Sequence, residues 1–145
     1  MKKRLISIIS LCIATSACAT IDTQSTSKSQ VSGLQNYSTY IAAAISSWIV
    51  EEAQDKQLSF IRLQIDKQAF ANSEIEQFLQ TKNIKITNDK NVPSLKVSYW
   101  VSELDGKILI RIKTNDSEAT RLFSKSEGNS IIPASPLTIR PNHEK

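Results

Sequence analysis

"LKVSYWVSELDGKILIRIK", residues 95–113, decides the fold. Leu95, Val97, Tyr99 and Val101 alternate with Lys96, Ser98, Trp100 and Ser102, the period of a strand with one face turned to a core. Asp105-Gly106 is a two-residue hairpin signal, because both positions of such a turn need positive φ. Beyond it Ile108, Ile110 and Ile112 resume the alternation. A further strand, over residues 119–124, follows the turn at Asn115-Asp116.

Upstream the period changes. Tyr37, Ile41, Ile45, Trp48 and Ile49 recur at helical spacing and predict an amphipathic helix over residues 37–54, capped by Asn36 or Ser38. Residues 59–65 read as a strand, with Ile61, Leu63 and Ile65 on one face. Residues 66–82 return to helical spacing, with Ala71, Ile75, Phe78 and Leu79 on the buried stripe. Ser73 and Glu76 have capping-box spacing, which would delay the regular helix to that point. Asn83 is the expected stop, since asparagine tolerates the left-handed backbone, and residues 84–87 form a short strand. The expected fold is α+β: a small two-layer sandwich, two helices on one face of a mainly antiparallel sheet of four to five strands.

The N-terminus is of another kind. Met1-Lys2-Lys3-Arg4 is a basic head, residues 5–14 (LISIISLCIA) form an uncharged apolar run, and Thr15-Ser16-Ala17 are small. These are the parts of a secretory signal, and ten apolar residues fall short of the ~20 that span a bilayer. Two processing sites compete. Ala17-Cys18-Ala19 fits cleavage after Ala19, releasing a soluble chain, whereas Thr15-Ser16-Ala17-Cys18 resembles the lipobox of bacterial lipoproteins. Thiolate chemistry favours the second, with residues 1–17 as signal and Cys18 as the lipidated N-terminus. Ala19 rather than Asp at the next position implies, by resemblance to bacterial lipoproteins, sorting to the outer membrane with the domain on the periplasmic face. Residues 18–33, rich in Ser, Thr and Gln, read as a flexible tether that reaches about 20 Å as a coil.

Removing residues 1–17 takes Lys2, Lys3 and Arg4 away, so 15 basic residues face 14 acidic ones in the remaining 128. No net basic excess argues for a nucleic-acid partner. Cys12 leaves with the leader, so no disulfide is expected. The single histidine, His143, is the third residue from the end, and no HExxH, CxxC or glycine-rich phosphate loop occurs. Neither an active site nor a metal, cofactor or small-molecule substrate is expected.

After the domain at residues 34–126 comes a proline-bearing tail, residues 127–145 (EGNSIIPASPLTIRPNHEK). Pro133, Pro136 and Pro141 favour extended backbone, yet Ile131, Ile132, Leu137 and Ile139 are apolar. Either these residues pack along the domain's own sheet edge, or the segment docks onto a partner by adding its backbone to a foreign strand. On the docking reading Ile131, Ile132, Pro133, Pro136, Leu137, Ile139 and Arg140 form the partner-binding set.

Asp66, Ala69-Phe70-Ala71, Ile75, Leu79 and Asn83-Ile84 follow the spacing "D..aFG…L…L…GY" of TrbH-type conjugal transfer lipoproteins. Thr120-Arg121-Leu122-Phe123, Gly128 and the run from Pro133 to Arg140 resemble that family's "sRaY … PasPwtvR" ending. The resemblance covers roughly residues 13–140. Ala71 and Asn83 stand where the family pattern has glycine, and Leu137 where it has an aromatic. The resemblance implies a small outer-membrane lipoprotein of the mating-pair-formation apparatus, a type IV secretion machine that moves plasmid DNA. Such a subunit binds lipid and the protein subunits of an envelope-spanning channel, and does not touch the DNA. The other reading left by the residues is an assembly or binding lipoprotein of a flagellar or secretin-associated machine.

Overall fold

A computed structural model describes residues 32–64 and 70–142. The leader, Cys18, all but the last two tether residues, residues 65–69 and His143 lie outside the described residues. A 3-10 turn, Ser32–Tyr37, runs into α1, Ser38–Asp55. The N-cap is Tyr37 and no side chain caps the helix, so neither Asn36 nor Ser38 plays the expected part. The turn has already wound the backbone before α1 begins. Then follow β1 (Phe60–Leu63), α2 (Asn72–Thr81), β2 (Lys85–Ile86), β3 (Leu95–Leu104), β4 (Lys107–Lys113) and β5 (Ser117–Lys125). The tail adds β6 (Ile131–Pro133) and β7 (Thr138–Pro141).

The sheet therefore has seven strands, ordered β2-β1-β3-β4-β5-β6 with β7 also on β5, more than the four to five expected. It is mixed: β1 runs parallel to both β2 and β3, and every other pairing is antiparallel. The β3–β4 register places Tyr99 opposite Ile112 and Val101 opposite Ile110, so the alternation read from sequence all points to one layer. That layer is a single core, joining Leu34, Ile41, Ile45 and Ile49 to Ile75 and Leu79 and to Ile61, Leu95, Val97 and Ile108. The Tyr99 hydroxyl donates to the Phe70 carbonyl at 2.7 Å, tying the sheet to the turn before α2. Burial, with the Glu74 and Glu76 charges adding, pushes its phenol well above the ordinary range.

Two expectations for α2 are corrected. The described helix begins at Asn72, and the capping box does not form: the Ser73 hydroxyl donates to Glu74 Oε2 at 2.8 Å, and Asn72 Nδ2 to Glu76 Oε1 at 3.2 Å. The N-cap is Ala71 at φ 61°, and no side chain bonds to the helix start. Phe78 is half-buried rather than central, because Ile75 and Leu79 occupy the middle of the stripe.

Both helices stop in the same way. After α1, Gln57 N–H bonds the Gln54 carbonyl at 2.9 Å and Leu58 N–H the Ala53 carbonyl at 2.8 Å. After α2, Asn83 N–H bonds Gln80 at 3.1 Å and Ile84 N–H bonds Leu79 at 3.0 Å. These are Schellman motifs, with Gln57 (φ 56°) and Asn83 (φ 58°) left-handed. Gln57 is exposed, so a glycine there loses no packing. Left-handed backbone costs a non-glycine residue about 1–2 kcal/mol, partly offset by glycine's greater freedom when unfolded. Gln57→Gly is expected to stabilise the domain by about 0.5–1 kcal/mol in a denaturant melt. A destabilised variant would show that the helix does not end in this motif.

Candidate functional site

The helices do not cover the whole inner face of the sheet. Beyond α1 a groove of about 220 Å³ remains, with Ile110, Ile112, Ala119 and Phe123 forming its apolar floor. Trp48 and Ala44 wall it on the helix side, where Ser47 and Glu51 form a polar rim, and Leu137 of the tail closes the opposite side. Arg121 also lines the groove, because strand alternation turns it inward between Ala119 and Phe123. Its Nε donates to the Ser135 carbonyl at 3.1 Å and its guanidinium lies 5.8 Å from the centre of the Phe123 ring. Among the described residues no carboxylate forms an ion pair with it. The groove thus offers apolar surface with one half-buried cation, a setting that receives an apolar segment bearing an acidic group.

The tail lies along the domain's own sheet. β6 covers the C-terminal part of β5, with Ile132 opposite Ser124, and β7 covers the N-terminal part, with Ile139 opposite Ala119. Between them residues 134–137 face only residues 121–122, so the tail bulges by two residues. Pro136 sits in that bulge, and the Ser135 hydroxyl accepts the Leu122 N–H at 3.0 Å. Of the two readings for this segment, packing along its own edge is the one observed. The partner set is not gathered on one side. Ile131 is half-buried against the core, Leu137 lines the groove at 41% exposed, and Ile139 lies on the same face at 57%. Ile132, 53% exposed, and Arg140 turn to the opposite face of the sheet.

Pairing with β5 also changes what the tail can offer. Ala134 N–H donates to the Leu122 carbonyl at 2.8 Å and Asn142 N–H to the Asp116 carbonyl at 2.7 Å. By the two-residue alternation of an antiparallel ladder, Ile132 and Arg140 direct their backbone groups at β5, while Pro133 and Pro141 face away. Proline has no N–H to offer there, so the new edge is poor in donors and resists a further strand. The side chains of the tail, rather than its backbone, remain for a partner.

A comparison with protein families matches residues 20–142 to the family described as conjugal transfer protein TrbH. The chain belongs to the TrbH family. A relative from Sinorhizobium fredii (strain NBRC 101917 / NGR234), named probable conjugal transfer protein TrbH, is 25% identical over 146 aligned residues, covering 96% of this chain and 97% of that one. No solved structure matches. The structure gives a physical reason for the glycines of the TrbH pattern. Ala71, at φ 61°, and Asn83, at φ 58°, hold those two places, and both are left-handed. Leu137, where the pattern has an aromatic, borders the groove, which has room for a larger side chain. Sequence reasoning assigned Trp48, Ile110 and Ile112 to inward-facing positions, and singled out neither Phe123 nor Arg121 as part of a site. The signal was there: an arginine at an inward position of an otherwise apolar strand face.

Proposed function

We propose that this chain is a non-catalytic structural component of a conjugative type IV secretion apparatus, held at the outer membrane by a lipid on Cys18. The observation that carries the reading is the TrbH family match over most of the chain. The basic, apolar and small-residue order of the first seventeen residues, ending before a cysteine, supports the anchor. Two or three acyl chains at ~0.8 kcal/mol per buried CH₂ hold a protein stably to a bilayer. The groove between α1 and the tail is the contact for another subunit of the channel, its Arg121 meeting an acidic group on that subunit. The domain works by binding, with no substrate turned over and no DNA held.

The anchor is tested in cells grown with labelled palmitate. Wild-type protein should take up label and fractionate with the outer membrane, whereas Cys18→Ser should take up none and accumulate as precursor. A wild-type protein without label that begins at Thr20 would overturn the lipidation. Loss of label with unchanged DNA transfer would instead separate the anchor from the transfer role.

A further inference from the structure

The helices leave the second face of the sheet open, and its charge is one-sided. On the central strands β3 and β4 Lys96, Arg111 and Lys113 point to this face, as does Arg140 on the edge strand β7, by their register and the alternation with the core residues. Arg62 and Lys85 extend it across β1 and β2, and Lys107 adds a charge at the hairpin end. Glu118 is the one acid among the described strand residues on that side, and it pairs with Arg111 at 3.4 Å. Asp89, in the loop after β2, approaches the far end, where its carbonyl accepts from Arg62 at 2.6 Å. The helical layer has the opposite balance, with Glu51, Glu52, Asp55, Glu74 and Glu76 against Lys56 and Lys82. A near-neutral total therefore conceals two oppositely charged sides.

The same face is divided along the strands. Trp100, 52% exposed, stands beside Arg111 near its middle. Towards the β3–β4 hairpin come Leu104 (48% exposed), the cross-strand pair Leu109 and Leu122, and Ile132. Away from the hairpin the face is basic.

We propose that this open face docks on a bilayer surface rich in anionic phospholipid. The cations would meet headgroup phosphates, while Trp100 and the aliphatic end enter the boundary with the acyl chains. Single-stranded nucleic acid fits less well. Such ligands need successive aromatic platforms for stacking, and on this described face Trp100 stands exposed beside Arg111, Ser98 and Ser102, with Phe60 half-buried at the far β1–β2 end. The inference does not depend on acylation of Cys18, and the test removes it.

The full chain carrying Cys18→Ser is mixed with vesicles of phosphatidylcholine alone or with about 30% phosphatidylglycerol, and bound protein is measured by flotation. Binding should rise with the anionic lipid and fall away at about 0.5 M salt. Lys96→Glu, Lys107→Glu and Arg140→Glu together should weaken binding to the anionic vesicles roughly 100-fold, with an unchanged melt. The leader is common to both proteins, so their difference reports the face. Should the triple variant not fold, Lys107→Glu with Arg140→Glu, both at exposed positions, gives the same reading with a smaller loss. Equal binding of folded variant and parent would overturn the proposal. So would a labelled single-stranded oligonucleotide that binds more tightly than the anionic vesicles and displaces the protein from them, which would assign the face to nucleic acid.

Discussion

Leu79→Ala is expected to lower the unfolding free energy by about 2–5 kcal/mol. Leu79 is fully buried, one helical turn from Ile75, and faces the same core as Ile41, Ile45 and Val97. Its carbonyl also accepts the Ile84 N–H that closes the stop of α2, so the residue joins helix packing to helix termination. A small domain holds about 5–15 kcal/mol in all, so the variant should lose about a third of its stability. Phe78→Ala provides the comparison. Phe78 is half-buried, and the same substitution there should cost clearly less despite the larger side chain. Equilibrium urea melts of both variants measure the difference. A larger loss at Phe78 than at Leu79 would mean that α2 is rotated about its axis.

Truncation after Gly128 should have the largest effect on function. It removes β6 and β7, and with them the Leu137 wall of the groove and the whole cover of β5. The side chains lost are mostly exposed, so the net stability cost should stay near 1–3 kcal/mol after the entropy of ordering the tail is returned. The domain should still unfold cooperatively, while DNA transfer and co-purification with other transfer proteins fall towards those of a strain lacking the protein. Leu137→Asp separates the causes, because it leaves the ladder intact and changes only the lip of the groove. Transfer lost in the truncation but normal in Leu137→Asp would assign the tail a protective role on the sheet edge. Transfer normal in both would remove the groove and the tail from the function.

What was legible in the sequence is local. Asp105 and Gly106 adopt φ 49° and 72°, the paired positive values that the Asp-Gly dipeptide announced. Asn83 stops α2 in the left-handed conformation expected of it. Gln57 does the same for α1 without any residue signal, since glutamine has no preference for that region and only the fold imposes it. The parallel pairing of β1 with β3 joins segments more than thirty residues apart, which alternation within either strand cannot report. Packing of the tail along the sheet edge was one of the two readings its aliphatic residues left open, but the prolines broke up the strand pattern and kept β6 and β7 out of the strand count, although on an edge a proline can turn its missing donor outward. The groove was illegible for a related reason. Periodicity says which side of a strand faces inward, but not how far a helix extends over it.

The order of the strands along the chain gives the two short tail strands a further consequence. β5 is paired on one side by β4, which precedes it, and on the other only by residues that follow it. A sheet that forms before residues 131–141 dock has a bare flank along β5, with no proline on it. Two chains caught at that stage would present the same flank to each other. Residues 131–141 thus act as a built-in cover for that flank, and a chain that lost them would be left at its most adhesive.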